Sequence, residues 1–140
     1  MDGTHASGVN RRDRLGECPE RVAVFRALPG LGDLLCIVPA LRALRTALPQ
    51  AQVTLVGLPA ARWFVERFPW YVDRLLEFPG WPGLPEQPLG LQSIPAFLAH
   101  AQEQRFHLAV QMHGSGGLTN PITVLLGARL SAGFCLPRSY

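Results

Sequence analysis

The apolar residues of this chain change their spacing several times, and each change marks an element. Arg21–Arg26, "RVAVFR", is short and β-branched and reads as a strand. From Leu34 the spacing lengthens: Leu34, Ile37, Val38, Leu41, Leu44 and Leu48 recur at helical intervals, with Arg42 and Arg45 along one edge of the stripe. Pro39 falls in the early turns, where it kinks such a helix, and Pro49 ends it. "QVTLVG", Gln52 to Gly57, predicts a second strand, Ala60 to Phe68 a helix stopped by Pro69, and "DRLLEFP" a short third strand. Prolines and glycines then dominate Pro79 to Gly90, which predicts a long surface loop without regular structure. Beyond it Ser93 is placed to cap a helix from Ile94 to about Gln104. "FHLAVQM" is a fourth strand, "HGSGG" breaks it, Leu118 to Leu126 is a helix with Asn120-Pro121 near its start, and "RLSAGF" is a fifth strand.

Strands alternating with helices predict an α/β class: a Rossmann-like parallel sheet, helices on both faces, joined by right-handed crossovers. Ligands of such sheets bind at the carboxyl ends of the strands, near the point where strand order reverses. The first and fourth strands commonly flank that point. Here both are followed by glycine-rich turns, Gly30-Leu31-Gly32-Asp33 and Gly114-Ser115-Gly116-Gly117.

Three readings of the first turn compete. A dinucleotide loop wants Gly-x-Gly-x-x-Gly, but Leu35 stands at the third glycine. Asp33 would also occupy the helix start that a pyrophosphate needs, and no acidic residue ends the second strand to hold a ribose. A structural reading makes Asp33 an N-cap on a tight bend. A catalytic reading makes it a carboxylate fixed at the mouth of the sheet, able to take a proton from a substrate hydroxyl. Capping and catalysis are compatible, since one carboxylate has two oxygens.

In the second turn, His113 reads either as a hydrogen-bond donor to a ligand or as a turn histidine in water. Gln111 shares its side of the sheet. Ser115 is not the nucleophile of a hydrolase, because the Gly-x-Ser-x-Gly pattern is absent. Arg26 ends the first strand, where it either steers an anionic ligand or pairs with Asp33. Trp63, Trp70 and Trp81 read as partly buried packing rather than sugar platforms.

Composition narrows the classes further. The chain has 140 residues, 48% of them hydrophobic and 16% charged, enough for one domain with a buried core. The net charge of +3 includes the "RRDR" near the start, so no broad basic face and no nucleic-acid partner are implied. The first 20 residues are polar and read as a disordered leader, neither signal peptide nor transmembrane helix. Nowhere do about 20 apolar residues run unbroken, so no transmembrane segment is expected. Cys18, Cys36 and Cys135 read as buried or idle thiols in a reducing compartment. With no ligand spacing among them and His5, His100 and His107, no metal is expected.

Two segments resemble a known family. "VAVFRALPGLGDLLCIVPALRALRTALPQAQVTLVG" is similar to the start of the family 9 glycosyltransferases, the heptosyltransferases of lipopolysaccharide assembly. Their frame is a strand ending in Arg, a loop, Gly-Asp, an apolar stretch, Pro-x-Leu and a basic helix. Arg26, Gly32, Asp33, Pro39, Leu41 and Arg42 fit it. "FHLAVQMHGSGGLTNPITVLLGARLSAGF" resembles the family's later strand, glycine turn, helix and Gly-Ala-x-x-x-x-Gly run, with Gly127, Ala128 and Gly133 in place. The likeness spans Arg21 to Phe134. The Pro79–Gly90 stretch matches no family motif, and Pro29 is unusual in the loop.

The resemblance implies the amino-terminal, acceptor-side half of a GT-B enzyme. Such an enzyme transfers a sugar with inversion from a nucleotide-sugar to a saccharide or lipid-linked acceptor, without a further cofactor. It implies Asp33 as the base; the strand ends and glycine turns around that carboxylate make Arg26, Gly30, Gly32, Gln111, His113, Gly114, Ser115 and Gly116 the candidate substrate-binding positions. A donor-binding second domain, which residues 21–140 do not supply, is also implied, so the chain reads as a fragment that is inactive alone. The resemblance places the protein in the cytoplasm, at or near the inner face of the membrane, with peripheral association compatible. Two readings stand beside it: a small nucleotide- or dinucleotide-binding module, and an inactive fragment that associates with another chain.

Overall fold

The computed structural model describes residues 18–86, 88 and 90–137. The expected leader lies almost wholly outside the described residues. Five strands, β1 (Arg21–Phe25), β2 (Gln52–Gly57), β3 (Arg74–Glu77), β4 (Leu108–Gln111) and β5 (Leu130–Ala132), form one sheet. All neighbours are parallel, in the order β3-β2-β1-β4-β5. The helices are α1 (Leu31–Leu35), α2 (Val38–Ala47), α3 (Arg62–Arg67), α4 (Ser93–Glu103) and α5 (Thr119–Leu125). The α/β class and parallel sheet read from the sequence are the ones observed. Among the described residues no helix is long and apolar enough to cross a membrane.

The strands are continuous apolar runs because both faces of the sheet are covered near its centre. On one face Val22, Val24, Val53 and Leu55 pack with Leu34, Ile37 and Leu41 of α1, the following turn and α2, and with Phe64 of α3. On the other, Ala23, Phe25, Val56 and Ala109 pack with Phe97 and Ala101 of α4 and Ile122 of α5. Phe25 is the hub of this second cluster. It meets the edge of Phe78 at 5.1 Å between centroids and stacks on the His113 ring at 5.5 Å.

Several expectations are corrected in detail. The long helix expected from Leu34 to Leu48 is two helices, because Pro39 lies at the start of α2 and has no N–H to carry the ladder through. Ser93 is the first residue of α4 rather than its cap. Gln92 takes the cap position without a side-chain bond. The described residues between 79 and 90 lie in no helix and in no strand of the sheet, as expected, yet Trp81 and Leu84 do not lie loosely on the surface. Gly80 and Gly83 turn the chain at φ of 95° and 88°, a conformation open to glycine, and Trp81 and Leu84 pack onto the Phe25 cluster. Trp63 and Trp70 are more exposed than expected, at 39% and 53%, yet each meets an aromatic neighbour edge-on, Phe64 for Trp63 and Phe68 and Tyr71 for Trp70, while Trp81 is half-buried. The three cysteines are free and exposed, not buried.

At the amino ends of the strands one guanidinium fastens three segments. Arg45 of α2 donates to the carbonyls of Trp70 (3.1 Å), Ala51 (2.5 Å) and Tyr71 (3.2 Å), and pairs with Asp73 at 2.9 Å. Asp73 in turn accepts the Val53 amide at 2.7 Å. This end of the sheet is held shut, and the opposite end carries the glycine turns.

Candidate functional site

The reversal of strand order falls between β1 and β4, and their carboxyl ends lead into the two glycine turns. Arg26, the residue after β1, spans them. Its Nε and Nη2 donate to the Asp33 carbonyl at 3.1 and 2.9 Å, and its Nη1 donates to the Met112 carbonyl at 2.6 Å. The side chain is 14% exposed. This guanidinium therefore ties the first turn of α1 to the end of β4. Of the two roles expected for Arg26, pairing with Asp33 is present but loose, with Nη2 3.7 Å from Oδ1. The stronger bonds go to backbone carbonyls.

Asp33 is the third residue of α1 and not its N-cap. Gly30 holds the cap position in extended conformation (φ −79°, ψ 141°), and no side chain bonds there. The carboxylate folds back over Gly30: a Cβ at residue 30 would lie 2.5 Å from Asp33 Oδ2. The Asp33 side chain is nonetheless 47% exposed. Gly32 differs from Gly30, because a Cβ there would meet nothing within 4 Å. Packing does not require a glycine at 32. The missing side chain leaves helix backbone open beside the carboxylate, as at sites where a ligand approaches the main chain. Leu31 and Leu35 flank this stretch and are exposed.

On the β4 side, His113 is buried, with 5% of its surface exposed, which removes the reading of a turn histidine in water. Its Nδ1 accepts the Ala27 N–H at 3.2 Å, so the ring proton sits on Nε2. Nε2 faces Glu86 Oε1 at 3.5 Å. Burial pushes the His113 pKa below its ordinary value of 6.5 and outweighs the opposing pull of Glu86. Arg26 lowers it further and Asp33 raises it. At neutral pH the contact is therefore an uncharged imidazole N–H facing a carboxylate, not an ion pair. The same influences place Arg26, Asp33, Glu86 and His113 in one electrostatic neighbourhood at the mouth of the sheet.

Gln111, 1% exposed, serves the fold of the second turn. Its amide N–H groups go to the His113 carbonyl and to Thr119 Oγ1 (2.6 Å), and its Oε1 accepts the Phe134 amide at 3.3 Å. Gly116 sits at φ 93°, and a Cβ there would run into the Phe134 carbonyl and the Asn120 amide, whose Nδ2 donates to that carbonyl at 2.7 Å. Gly114, at φ 66°, faces open space. Ser115 lines a cavity of about 540 Å³ on the outer side of the turn, with Asn120, Pro121 and Val124, which none of Asp33, Arg26 and His113 enters. A second cleft, of about 370 Å³, is lined by Arg26 and Gln111 together with Ile37, Ala40, Met112 and Phe134.

The structure thus brings Asp33, Arg26, Gly30, Gly32 and His113 to one end of the sheet. Gln111 helps hold the second turn and also lines the cleft beside Arg26, while Ser115 and Gly116 line the separate cavity beside Asn120. Glu86 was not singled out from the sequence. It lies in a proline-rich stretch without periodicity, and nothing in that stretch signals a partner 27 positions further on. Compared with known proteins, the chain matches no protein-family model, no curated protein and no solved structure.

Proposed function

We propose that this domain is the acceptor-side half of an inverting glycosyltransferase, with Asp33 as the general base. One observation carries the proposal. A half-exposed carboxylate stands at the reversal of strand order, beside a glycine whose side-chain space is empty, and its backbone is bracketed to β4 by Arg26. In the reaction an acceptor hydroxyl approaches Asp33. Its oxygen attacks the anomeric carbon of a nucleotide-sugar, its proton passes to the carboxylate, and the bond to the nucleoside diphosphate breaks with the electron pair leaving on the phosphate oxygen. The electrostatics of the turn suit that division of labour. A carboxylate in the first turn of α1 is a poor neighbour for a diphosphate, so the donor nucleotide belongs to a second domain facing this one. Exposed Leu31 and Leu35 beside Asp33 are the kind of apolar surface such a domain would cover.

The test is sugar transfer by the complete protein that carries this domain, assayed with nucleotide-sugars and with soluble and lipid-linked acceptors. Turnover is expected there and not from residues 1–140 alone, because both reactants must be held in one geometry. Turnover by the 140-residue chain, or tight binding of a nucleotide to it alone, would overturn the assignment and favour a self-contained nucleotide module.

A further inference from the structure

We propose that the acceptor carries an apolar aglycone seated in the cleft of about 370 Å³ beside Arg26, with a hydroxyl of its sugar shared by the Arg26 guanidinium and the Asp33 carboxylate. The proposal rests on the acceptor-side reading above and narrows its substrate to an amphiphilic glycoside.

The cleft is apolar with one charged end. Arg26 is the charged residue that lines it, and Ile37, Ala40, Val110, Met112 and Phe134 supply most of the rest. Its size and its make-up, an apolar lining with few polar groups, are those of a small-molecule site. It is open for a topological reason. The helices α1, α2 and α3 pack on this face of the sheet, and α4 and α5 pack on the other. Val110 of β4 and Met112 after it are left half-buried, and Phe134, just beyond β5, is 67% exposed.

The charged end has unused donors. A guanidinium carries five N–H groups, and three of those on Arg26 go to the carbonyls of Asp33 and Met112. One N–H on each terminal nitrogen has no hydrogen-bond acceptor among the described residues. Nη2 stands 3.7 Å from Asp33 Oδ1, too far for a direct hydrogen bond. A hydroxyl oxygen about 2.8 Å from both atoms fits beside that pair, accepting from the guanidinium and donating to the carboxylate. An anionic head there would be repelled by Asp33, so the pair selects a hydroxyl.

Cleft and carboxylate also share a face of the chain. Asp33, Cys36, Ile37 and Ala40 are spaced i, i+3, i+4 and i+7, and Cys36 and Ile37 keep helical dihedrals across the junction of α1 and α2. Cys36, Ile37 and Ala40 line the cleft, and Asp33 lies about one helical turn before them. One ligand therefore reaches both places, its sugar at Asp33 and its aglycone along Ile37 and Met112.

The probes are octyl and methyl β-D-glucopyranoside, added to the 140-residue chain with the octyl compound below its micelle concentration. Per-O-methylated octyl glucoside is the tail without donors. Binding is read from NMR shifts of side-chain methyls and of the Arg26 Nε–H. The octyl glycoside should give saturable shifts at Ile37, Val110, Met112 and Arg26. It should bind roughly tenfold or more tighter than the methyl glycoside, since each buried methylene is worth about fourfold. The per-O-methylated compound should bind more weakly than octyl glucoside. Ala40 is exposed on α2, where leucine is a good helix former, so Ala40→Leu should fill the cleft without harming the fold. It should bring octyl glucoside down to the affinity of the methyl glycoside, with thermal melting unchanged. No saturable shift at these residues, equal affinity for the octyl and methyl glycosides, or octyl binding that Ala40→Leu leaves intact overturns the proposal. Its fate is separable from that of the transferase reading. If the cleft binds no aglycone while Asp33→Asn abolishes transfer in the complete protein, only this inference fails. If the cleft binds the aglycone while Asp33→Asn transfers normally, the assignment of the base fails.

Discussion

Replacing Arg26 by methionine removes the guanidinium that joins the two glycine turns while keeping most of the packing of the side-chain stem. Two acceptors lose a charged donor: the Asp33 carbonyl, bonded at 2.9 and 3.1 Å, and the Met112 carbonyl, bonded at 2.6 Å. Hydrogen bonds to charged groups contribute about 1.5–3 kcal/mol each. The lower end applies here because both bonds lie at the rim of the sheet. The ion pair to the half-exposed Asp33 carboxylate at 3.7 Å adds little. The expected loss is about 3 kcal/mol, or roughly 9 °C in Tm for a chain of this size. Arg26→Lys keeps the charge, but one ammonium cannot reproduce the fork that reaches both carbonyls, so about half that loss is expected. Thermal and urea unfolding of the 140-residue chain, followed by circular dichroism, measure both variants. A methionine variant within about 0.5 kcal/mol of wild type would refute the bracket. It would return Arg26 to the role of steering an anionic ligand.

Three further outcomes follow from the same geometry. The folded His113 pKa lies below its unfolded value of 6.5, so the unfolded chain binds the proton more readily. Stability should therefore fall as pH drops from about 6.5 through the folded pKa and level off below it, and urea midpoints across that range should lose this slope in His113→Gln. Gly116→Ala, strained at φ 93° and pressed against the Phe134 carbonyl, should cost more than about 2 kcal/mol in the same unfolding assay. Gly32→Ala, in open space within α1, should gain up to about 1 kcal/mol yet lower transfer by the complete protein, because a methyl then stands in the approach to Asp33.

The alternation of strands and helices was legible because each element carries its own apolar period, and the two glycine turns were legible because of where they fall in that alternation. What the period did not show was the break between α1 and α2. The apolar stripe runs straight through Cys36 and Ile37, and only the missing N–H of Pro39 divides it. The sequence put Asp33 at a strand–helix bend but not at its helical position. Gly30 takes the cap because the chain is already extended there. Gln111 and His113 were singled out as sharing one side of the sheet, yet their roles depended on what lay above them. Gln111 is enclosed by Thr119 and Phe134, and His113 by Phe25 and Glu86. Those partners come from separate elements, and contacts of that kind leave no local pattern in a single sequence.

The central claim, that the Asp33 carboxylate takes the acceptor proton, is tested most directly by Asp33→Asn in the complete protein. Asparagine keeps the size and polarity of the side chain over Gly30 and removes the base. Because the Asp33 side chain is not the N-cap and makes no hydrogen bond to backbone among the described residues, Asp33→Asn should change stability by no more than about 1 kcal/mol. Turnover at saturating donor and acceptor should fall roughly 10²–10⁴-fold, the usual contribution of a general base. Near-normal turnover with an unchanged melting temperature would contradict the account and leave Asp33 as a first-turn carboxylate of α1 and nothing more.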